Sequence, residues 1–478
     1  MEEALYRWIE ATAAIRAEIL RLGGFGLSLV VTVHALLRKR EAGVAIGWIG
    51  LAWLSPLFGT TLYALFGVNR VSRRARRLRP RPSETRDDDP DPSVAVPEAF
   101  APLGRAMRRI TGLPLVGGNR VEVYRNGDAA YPAMLAAIAG ARESVGLSSY
   151  IFRDDETGRT FSAALAEAQG RGVAVRVLID GVGGGWFNPA AYRRLVRLGV
   201  PAGLFLHSAL PWRMPFLNLR THKKLLVVDG RIGFTGGINV SDANRVALSP
   251  PRPVRDTHFR LEGPVVEQLA IAFAQEWSFV SGEDLEGERW FPPLPPTGDS
   301  AARVVTSGPD ADLRKIEIAV LEAIATARRH IRLATPYFLP GELVVNALSL
   351  AALRGIEVDV VVPGRSDHRF VDFAMRAHVD PLLDAGVRIW LDDPPFDHSK
   401  LLVVDGAWCF VGSANWDMRS FRLNFELNVE IYDTDLAGRL DAAMRAKMGR
   451  RLTREDLRAR SLPVRLRDAA VRLLLPYL

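Results

Sequence analysis

The sequence predicts an α/β protein built from two similar layered halves, preceded by a hydrophobic helical segment at the N-terminus. Three observations predict it. The stretch His222-Lys223-Lys224-Leu225-Leu226-Val227-Val228-Asp229 returns as His398-Ser399-Lys400-Leu401-Leu402-Val403-Val404-Asp405. Around each copy, strand-like and helix-like stretches alternate in the same order, so the repeat spans whole domains. Long uncharged runs are concentrated in the first 68 residues. A chain of 478 residues holds about two to three domains of ordinary size.

The N-terminal part, residues 1–79, reads as a membrane anchor with hydrophobic segments at about 20–38 and 43–68. Leu22 to Leu37 is apolar but contains His34 and follows Arg21. From Gly43 to Val68 no residue is charged, which is long enough to cross a hydrocarbon core of roughly 30 Å. Trp48, Trp53 and Tyr63 lie in this second run, with Pro56 near its middle. The shorter first run either spans with snorkelling flanks or forms one limb of a shallow re-entrant hairpin. Its long polar lead argues against a cleaved signal peptide. Arg70, Arg73, Arg74, Arg76, Arg77, Arg79 and Arg81 form a basic collar expected to stay cytoplasmic. Arg38, Lys39 and Arg40 pull the other way, and a hairpin removes that conflict. Either arrangement leaves the C-terminal bulk on the cytoplasmic side of the cell membrane.

Residues 80–100 read as a linker, because prolines and Asp87, Asp88, Asp89 and Asp91 offer no apolar face. Domain 1 is expected over 101–295 and domain 2 over 296–478. In domain 1, Ala137–Arg142 precedes a strand ending at Tyr150-Ile151-Phe152; in domain 2, Ala323–Arg328 precedes one ending at Tyr337-Phe338. Each is followed by a helix-like stretch, then Arg171-Gly172 or Arg354-Gly355, then a strand, Val173 to Ile179 or Ile356 to Val362. The final stretch, Leu462 to Leu478, has helical spacing and is expected to dock on the protein, with the headgroup region of a membrane as the alternative.

Net charge is +8, which favours polyanionic surroundings: nucleic acid or anionic lipid headgroups. The hydrophobic N-terminus selects lipid, and interleaved aromatics that would stack bases are missing. The single cysteine, Cys409, rules out an intrachain disulfide and reads as a small buried hydrophobe.

The repeated pattern is His-x-Lys-x-x-x-x-Asp, running on to Gly236 and Asn239 in the first copy and Gly412 and Asn415 in the second. Alternate side chains of a strand share a face, so His222 points with Lys224 and His398 with Lys400. Two imidazoles and two ammonium groups at one point suit a phosphodiester. One histidine attacks phosphorus, the other protonates the leaving oxygen, and the lysines neutralise the phosphoryl oxygens. Asp229 and Asp405 end their strands at Asp-Gly turns, a position suited to holding the motif's shape. Asn239, Asn415 and Ser413 are candidates for binding the non-bridging oxygens; Gly237 stands where the second copy has Ser413. His258, His330 and His378 lack metal-ligand spacing, so chemistry without a metal or other cofactor is expected. Gly181 to Gly185 reads as a cleft wall or a plain turn, and Arg365-Ser366-Asp367-His368 as a headgroup pocket or a turn.

The duplicated motif resembles that of the phospholipase D superfamily. Its flanks resemble the bacterial cardiolipin synthases of that type: Tyr150-Ile151-Phe152-Arg153-Asp154-Asp155, Arg255-Asp256-Thr257-His258, Thr335-Pro336-Tyr337-Phe338, Pro363-Gly364-Arg365-Ser366-Asp367-His368 and Arg419-Ser420-Phe421-Arg422-Leu423-Asn424-Phe425-Glu426. The resemblance implies paired α-β-α sandwiches whose motifs meet at a pseudo-twofold seam. It implies a membrane phosphatidyltransferase that transfers the phosphatidyl group of one phosphatidylglycerol to His222, losing glycerol. A second phosphatidylglycerol, deprotonated by His398, then attacks to release cardiolipin. It also implies carboxylates that orient the histidines, for which Glu426 fits His398 and Asp256 fits His222. A phospholipase D hydrolase, a transferase with another donor or acceptor, and a nuclease are the alternatives.

Overall fold

The computed structural model describes residues 2–39, 42–68, 94, 96–207, 219–308 and 312–473. The chain divides into two compact units, Met1–Ser72 and Arg73–Leu478. The arginine collar and the acidic run of the linker lie outside the described residues.

The first unit begins with a helix, Glu2–Arg38, followed by Ala42–Leu54 and Pro56–Leu62. Pro56 has no N–H to donate and sterically excludes a continuous helix, so it ends one helix and opens the next at its first position. The uncharged run from Gly43 to Val68 is therefore not one spanning helix, contrary to the expectation from its length. The longer crossing element is in the first run, where Ala17–Arg38 supplies 22 helical residues long and apolar enough to cross a membrane. Gly59 lets the helices fold back closely, since a Cβ there would stand 2.3 Å from the Leu51 carbonyl oxygen. Ser28 Oγ donates to the Ala52 carbonyl at 2.7 Å, and His34 Nδ1 lies 2.6 Å from the Tyr63 hydroxyl. Buried polar groups are thus paired while Leu22, Leu29, Leu36 and Leu37 face outward.

The second unit is organised on one sheet of 15 strands with two halves of matching order. In the first half the order runs Ala202–Phe205, Ala174–Asp180, Ser144–Ser149, Leu225–Val228, Ile232–Gly236, Thr257–Glu262, Val116–Arg125. In the second it runs Arg388–Asp392, Glu357–Pro363, His330–Ala334, Leu401–Val404, Trp408–Gly412, Glu426–Tyr432, Ser300–Ser307, with Arg450–Leu452 added at the outer edge. The halves join where Val116–Arg125 pairs antiparallel with Ser300–Ser307. Helices cover both faces of each half, which is the paired α-β-α sandwich. Asn126–Gly140, Glu156–Gly170 and Ala190–Arg197 pack on one face of the first half, and Val265–Ser281 on the other. In the second half Lys315–Thr326, Glu342–Leu353 and Arg369–His378 face Thr434–Arg445 across the sheet. The helix Ala101–Thr111 precedes the first half in the chain, yet its Leu103 and Met107 enter the core of the second. Leu462–Arg472 docks on Arg369–His378, as its spacing suggested.

Both motif strands, Leu225–Val228 and Leu401–Val404, are buried on both faces and turn into hairpins. Asp229 and Gly230 have φ of 51° and 59°, and Asp405 and Gly406 have 52° and 68°, a tight turn that Asp-Gly accommodates. Each carboxylate also fastens the strand beside it. Asp229 accepts from the backbone N–H of Arg142, Glu143 and Ser144; Asp405 does so from Arg328, Arg329 and His330. These are the holding roles expected of the motif aspartates. Asp405→Ala should therefore lose about 2–3 kcal/mol in urea unfolding, by charge-assisted hydrogen bonds forgone. Turnover per folded molecule should change far less, and a variant of native stability would refute this assignment.

Candidate active site

The chain enters each motif strand hydrogen-bonded to the opposite half. Thr221 bridges to Phe425, with His222 N–H donating to the Phe425 carbonyl at 2.9 Å and Phe425 N–H donating to the Arg220 carbonyl at 2.8 Å. Val254–Arg255 pairs with Phe396–Asp397, and His398 N–H donates to the Arg255 carbonyl at 2.7 Å. This crossing decides which carboxylate meets which histidine, because Phe425 immediately precedes Glu426 and Arg255 immediately precedes Asp256.

His222 Nδ1 stands 3.0 Å from Glu426 Oε2, and His398 Nδ1 stands 2.8 Å from Asp256 Oδ2. The expected pairing, Glu426 with His398 and Asp256 with His222, is thus reversed: each histidine is held by the carboxylate of the other half. The two imidazoles are 6.4 Å apart between ring centroids and face a cavity of about 440 Å³. Asn239 and Asn415 also line it. The Asn239 side-chain oxygen accepts from Ile151 N–H at 3.1 Å, which leaves its amide N–H groups to serve the cavity.

Lys224 and Lys400 lie buried beside their histidines. Lys224 Nζ donates to the His222 carbonyl at 2.6 Å, and Lys400 Nζ lies 2.8 Å from His398 Nδ1. The intervening motif residues point away, as strand alternation requires: Lys223 pairs with Glu276 at 3.1 Å, and Ser399 meets Thr257 at 2.9 Å. Burial pushes Lys224 down to about 7 and Lys400 to about 8. It pushes Glu426 and Asp256 up to about 7. Both imidazoles are held well below their ordinary value by burial and then by the lysine ammonium groups.

Ser413 does not reach the cavity, contrary to expectation. It is fully buried, donating from Oγ to Glu426 Oε2 at 2.5 Å and accepting from Leu427 N–H at 3.0 Å, so it supports the carboxylate behind His222. The first half admits no such serine. A Cβ at Gly237 would lie 2.2 Å from Asp256 Oδ1, in space the orienting carboxylate already fills. Gly181 to Gly185 proves to be a turn, with Val182 and Gly183 N–H donating to Asp180. Of the stretch from Arg365 to His368, Asp367 and His368 reach the cavity, and Tyr337 donates to Asp367 at 2.7 Å. Among the described residues no cluster of His, Cys, Asp or Glu is placed to hold a metal ion.

Sequence reasoning assigned no site role to Tyr150, Tyr337, Arg153, Arg220 or Arg419, all of which line the cavity. Tyr150 packs its ring 4.9 Å from that of His222, and Tyr337 packs 6.2 Å from His398. A signal for both tyrosines was present, since they end corresponding strands of the repeat. Arg220 stands two residues before His222 on an extended segment, hence on the same face.

The family described as cardiolipin synthase, PLD-like domain, matches residues 134–250 and 320–448, one match over each half. The cardiolipin synthase of Geobacillus kaustophilus (strain HTA426) is 33% identical over 457 residues, covering 92% of this chain and 90% of that one. The chain belongs to the cardiolipin synthase family of phospholipase D-like proteins. Cardiolipin synthase A of Pseudomonas aeruginosa (strain LESB58) is 35% identical over 449 residues, covering 91% of this chain and 90% of its own length. The fold extends more widely: the crystal structure of phosphatidylserine synthase from Haemophilus influenzae Rd KW20 superposes with a TM-score of 0.59 at 14% identity, covering 79% of this chain and all of that one.

For this cardiolipin synthase-family site the titrations set a pH dependence. Glu426 and Asp256 are raised to about 7, so falling pH protonates them and removes the acceptors that hold the histidine Nδ1 atoms. Lys224 and Lys400 are lowered to about 7 and 8, so rising pH discharges them and removes two positive charges from beside the histidines. The expected kcat/KM profile is a bell with its maximum near neutrality. A rate still climbing at about pH 9 would show that the lysine charges are not needed.

Proposed function

We propose that the protein is a membrane phosphatidyltransferase that makes cardiolipin and glycerol from two molecules of phosphatidylglycerol through a phosphohistidine intermediate. One observation carries this reading: two imidazoles, one from each half, face a single cavity with each Nδ1 on a buried carboxylate and a buried lysine beside each ring. Binding alone needs no such pair.

The surroundings of the two rings differ, and the difference supports distinct roles. His222 Nδ1 has a carboxylate partner, so its proton rests on Nδ1 and the Nε2 lone pair is available to attack phosphorus. His398 Nδ1 has both Asp256 and the Lys400 amine near it. With Asp256 accepting from Nδ1–H, the second proton of the ring goes to Nε2, where a general acid needs it, and the Lys400 ammonium beside it favours giving that proton up. In the first step a bond forms from His222 to phosphorus as the bond to the glycerol headgroup breaks, and His398 protonates the departing oxygen. In the second, the acceptor hydroxyl gives its proton to His398, attacks phosphorus and breaks the phosphorus–nitrogen bond. Lys224, Lys400, Asn239 and Asn415 offset the charge that gathers on the phosphoryl oxygens in both steps.

Helix Ala17–Arg38 is apolar enough to hold the protein at a bilayer, where these substrates reside. The arginine collar after Val68 places the catalytic unit on the cytoplasmic side in this reading. Incubation of detergent-solubilised protein with labelled phosphatidylglycerol tests the proposal. Cardiolipin with released glycerol is the expected result; phosphatidic acid with glycerol would make the protein a hydrolase, and no turnover would refute both.

A further inference from the structure

The two halves repeat around the histidines but not in charge. Three arginines line the cavity, and none has a cationic counterpart in the other half. Arg220, two residues before His222, corresponds to Phe396 before His398; Arg419, four after Asn415, corresponds to Ala243 after Asn239. Arg153, three after Tyr150, corresponds to Pro340 after Tyr337. The cavity is consequently polarised: Arg220 and Arg419 lie near Tyr150, and Arg419 also near His222, whereas Tyr337 and Phe396 pack toward His398. Arg220 is buried and held near Asp180, 4.0 Å away. Among the described residues the guanidinium groups of Arg153 and Arg419 have no hydrogen bond or close ion pair. Asp417, the nearby lining carboxylate, caps its own helix through Ser420 N–H at 2.6 Å.

We propose that this arginine side of the cavity binds the phosphodiester of the acceptor lipid, while the histidine–lysine centre holds the phosphate being transferred. The inference rests on the phosphatidyltransferase reading and names its acceptor site. A phosphatidylglycerol acceptor brings a second anion into a cavity that already contains the phosphatidyl group on His222. Only one phosphate fits between the two imidazoles, so the second needs its own counter-charges, displaced from the pseudo-twofold axis. Arginine suits that task because its planar fork grips phosphate oxygens in pairs and keeps its charge when desolvated. Water and neutral alcohols cannot use such a site. It therefore favours the lipid acceptor over hydrolysis, as a polar site rejects ligands lacking the group it was built for.

The test uses the full chain in mixed micelles with labelled phosphatidylglycerol and added ethanol. Both products then arise from one donor step, and the ratio of cardiolipin to phosphatidylethanol reports acceptor choice alone. Arg419→Gln should lower that ratio about tenfold or more, the loss expected for a charged hydrogen-bond partner. Arg419→Lys should restore part of it, and Arg153→Gln should lower it in the same direction. Arg153 is exposed, so its variant decides the matter should Arg419→Gln fail to fold. An unchanged ratio in both glutamine variants, whether total turnover falls or holds, overturns the proposal. Absence of cardiolipin from the unaltered protein would instead overturn the phosphatidyltransferase reading beneath it.

Discussion

His222→Ala and His398→Ala are each expected to lower cardiolipin formation by roughly three orders of magnitude or more, with the double variant little worse than either single one. Both imidazoles face one cavity, and in the proposed mechanism they act in the same two chemical steps. Once one is gone, the other has no partner, so its removal forfeits little further. Both rings sit in the interior, His222 only 7% exposed, but alanine leaves the strand hydrogen bonds of both motifs intact. Folding should therefore survive. Initial rates and denaturation curves measured together check this. A single variant with near-native turnover, or losses that multiply in the double variant, would mean two separate sites.

The second large effect concerns the crossed carboxylates. Glu426→Gln should disable the proposed nucleophile, His222, and Asp256→Asn the proposed acid, His398, each lowering turnover by about 10²-fold or more through loss of tautomer and orientation. The two should differ in a rapid-quench experiment. Without Glu426, His222 keeps neither its Nδ1 proton acceptor nor its basicity, so the phosphohistidine should fail to appear. Without Asp256, the acceptor's proton is taken less effectively, and whatever intermediate forms should persist longer. Intermediate accumulating in Glu426→Gln but not in Asp256→Asn would reverse the histidine roles proposed for this site.

The same crossing shows why one part of the site escaped sequence reasoning. Glu426 and Asp256 were recognisable as orienting carboxylates, and each was assigned to the histidine of its own repeat because chain proximity is the only proximity a sequence contains. The backbone bonds from His222 to Phe425 and from His398 to Arg255 are contacts between halves, and no local pattern encodes them. Ser413 misled for a related reason. Its place after a glycine in the motif suggests a phosphate ligand, but the side chain turns inward to Glu426 because Gly412, at φ 157°, lets that backbone lie flat against Leu427 and Asn428. The arginines went unassigned because a lone arginine near a motif reads as solvated surface, and only the fold brings Arg220 and Arg419 from different halves beside Tyr150.

What the sequence determined by itself is what repeats at short range. Buried strands, Asp-Gly hairpins, paired His-Lys faces and a hydrophobic lead follow from side-chain alternation, turn stereochemistry and apolar patterning, each acting over a few residues. Even there, Pro56 showed that uninterrupted hydrophobicity is not an uninterrupted helix. Tertiary structure alone decided how the repeats exchange partners: which carboxylate holds which imidazole, which half receives the helix Ala101–Thr111, and on which side of the cavity the arginines gather. The physical reason is that buried charges and backbone groups must find partners wherever packing brings them. In a two-fold seam those partners come from the distant half of the chain.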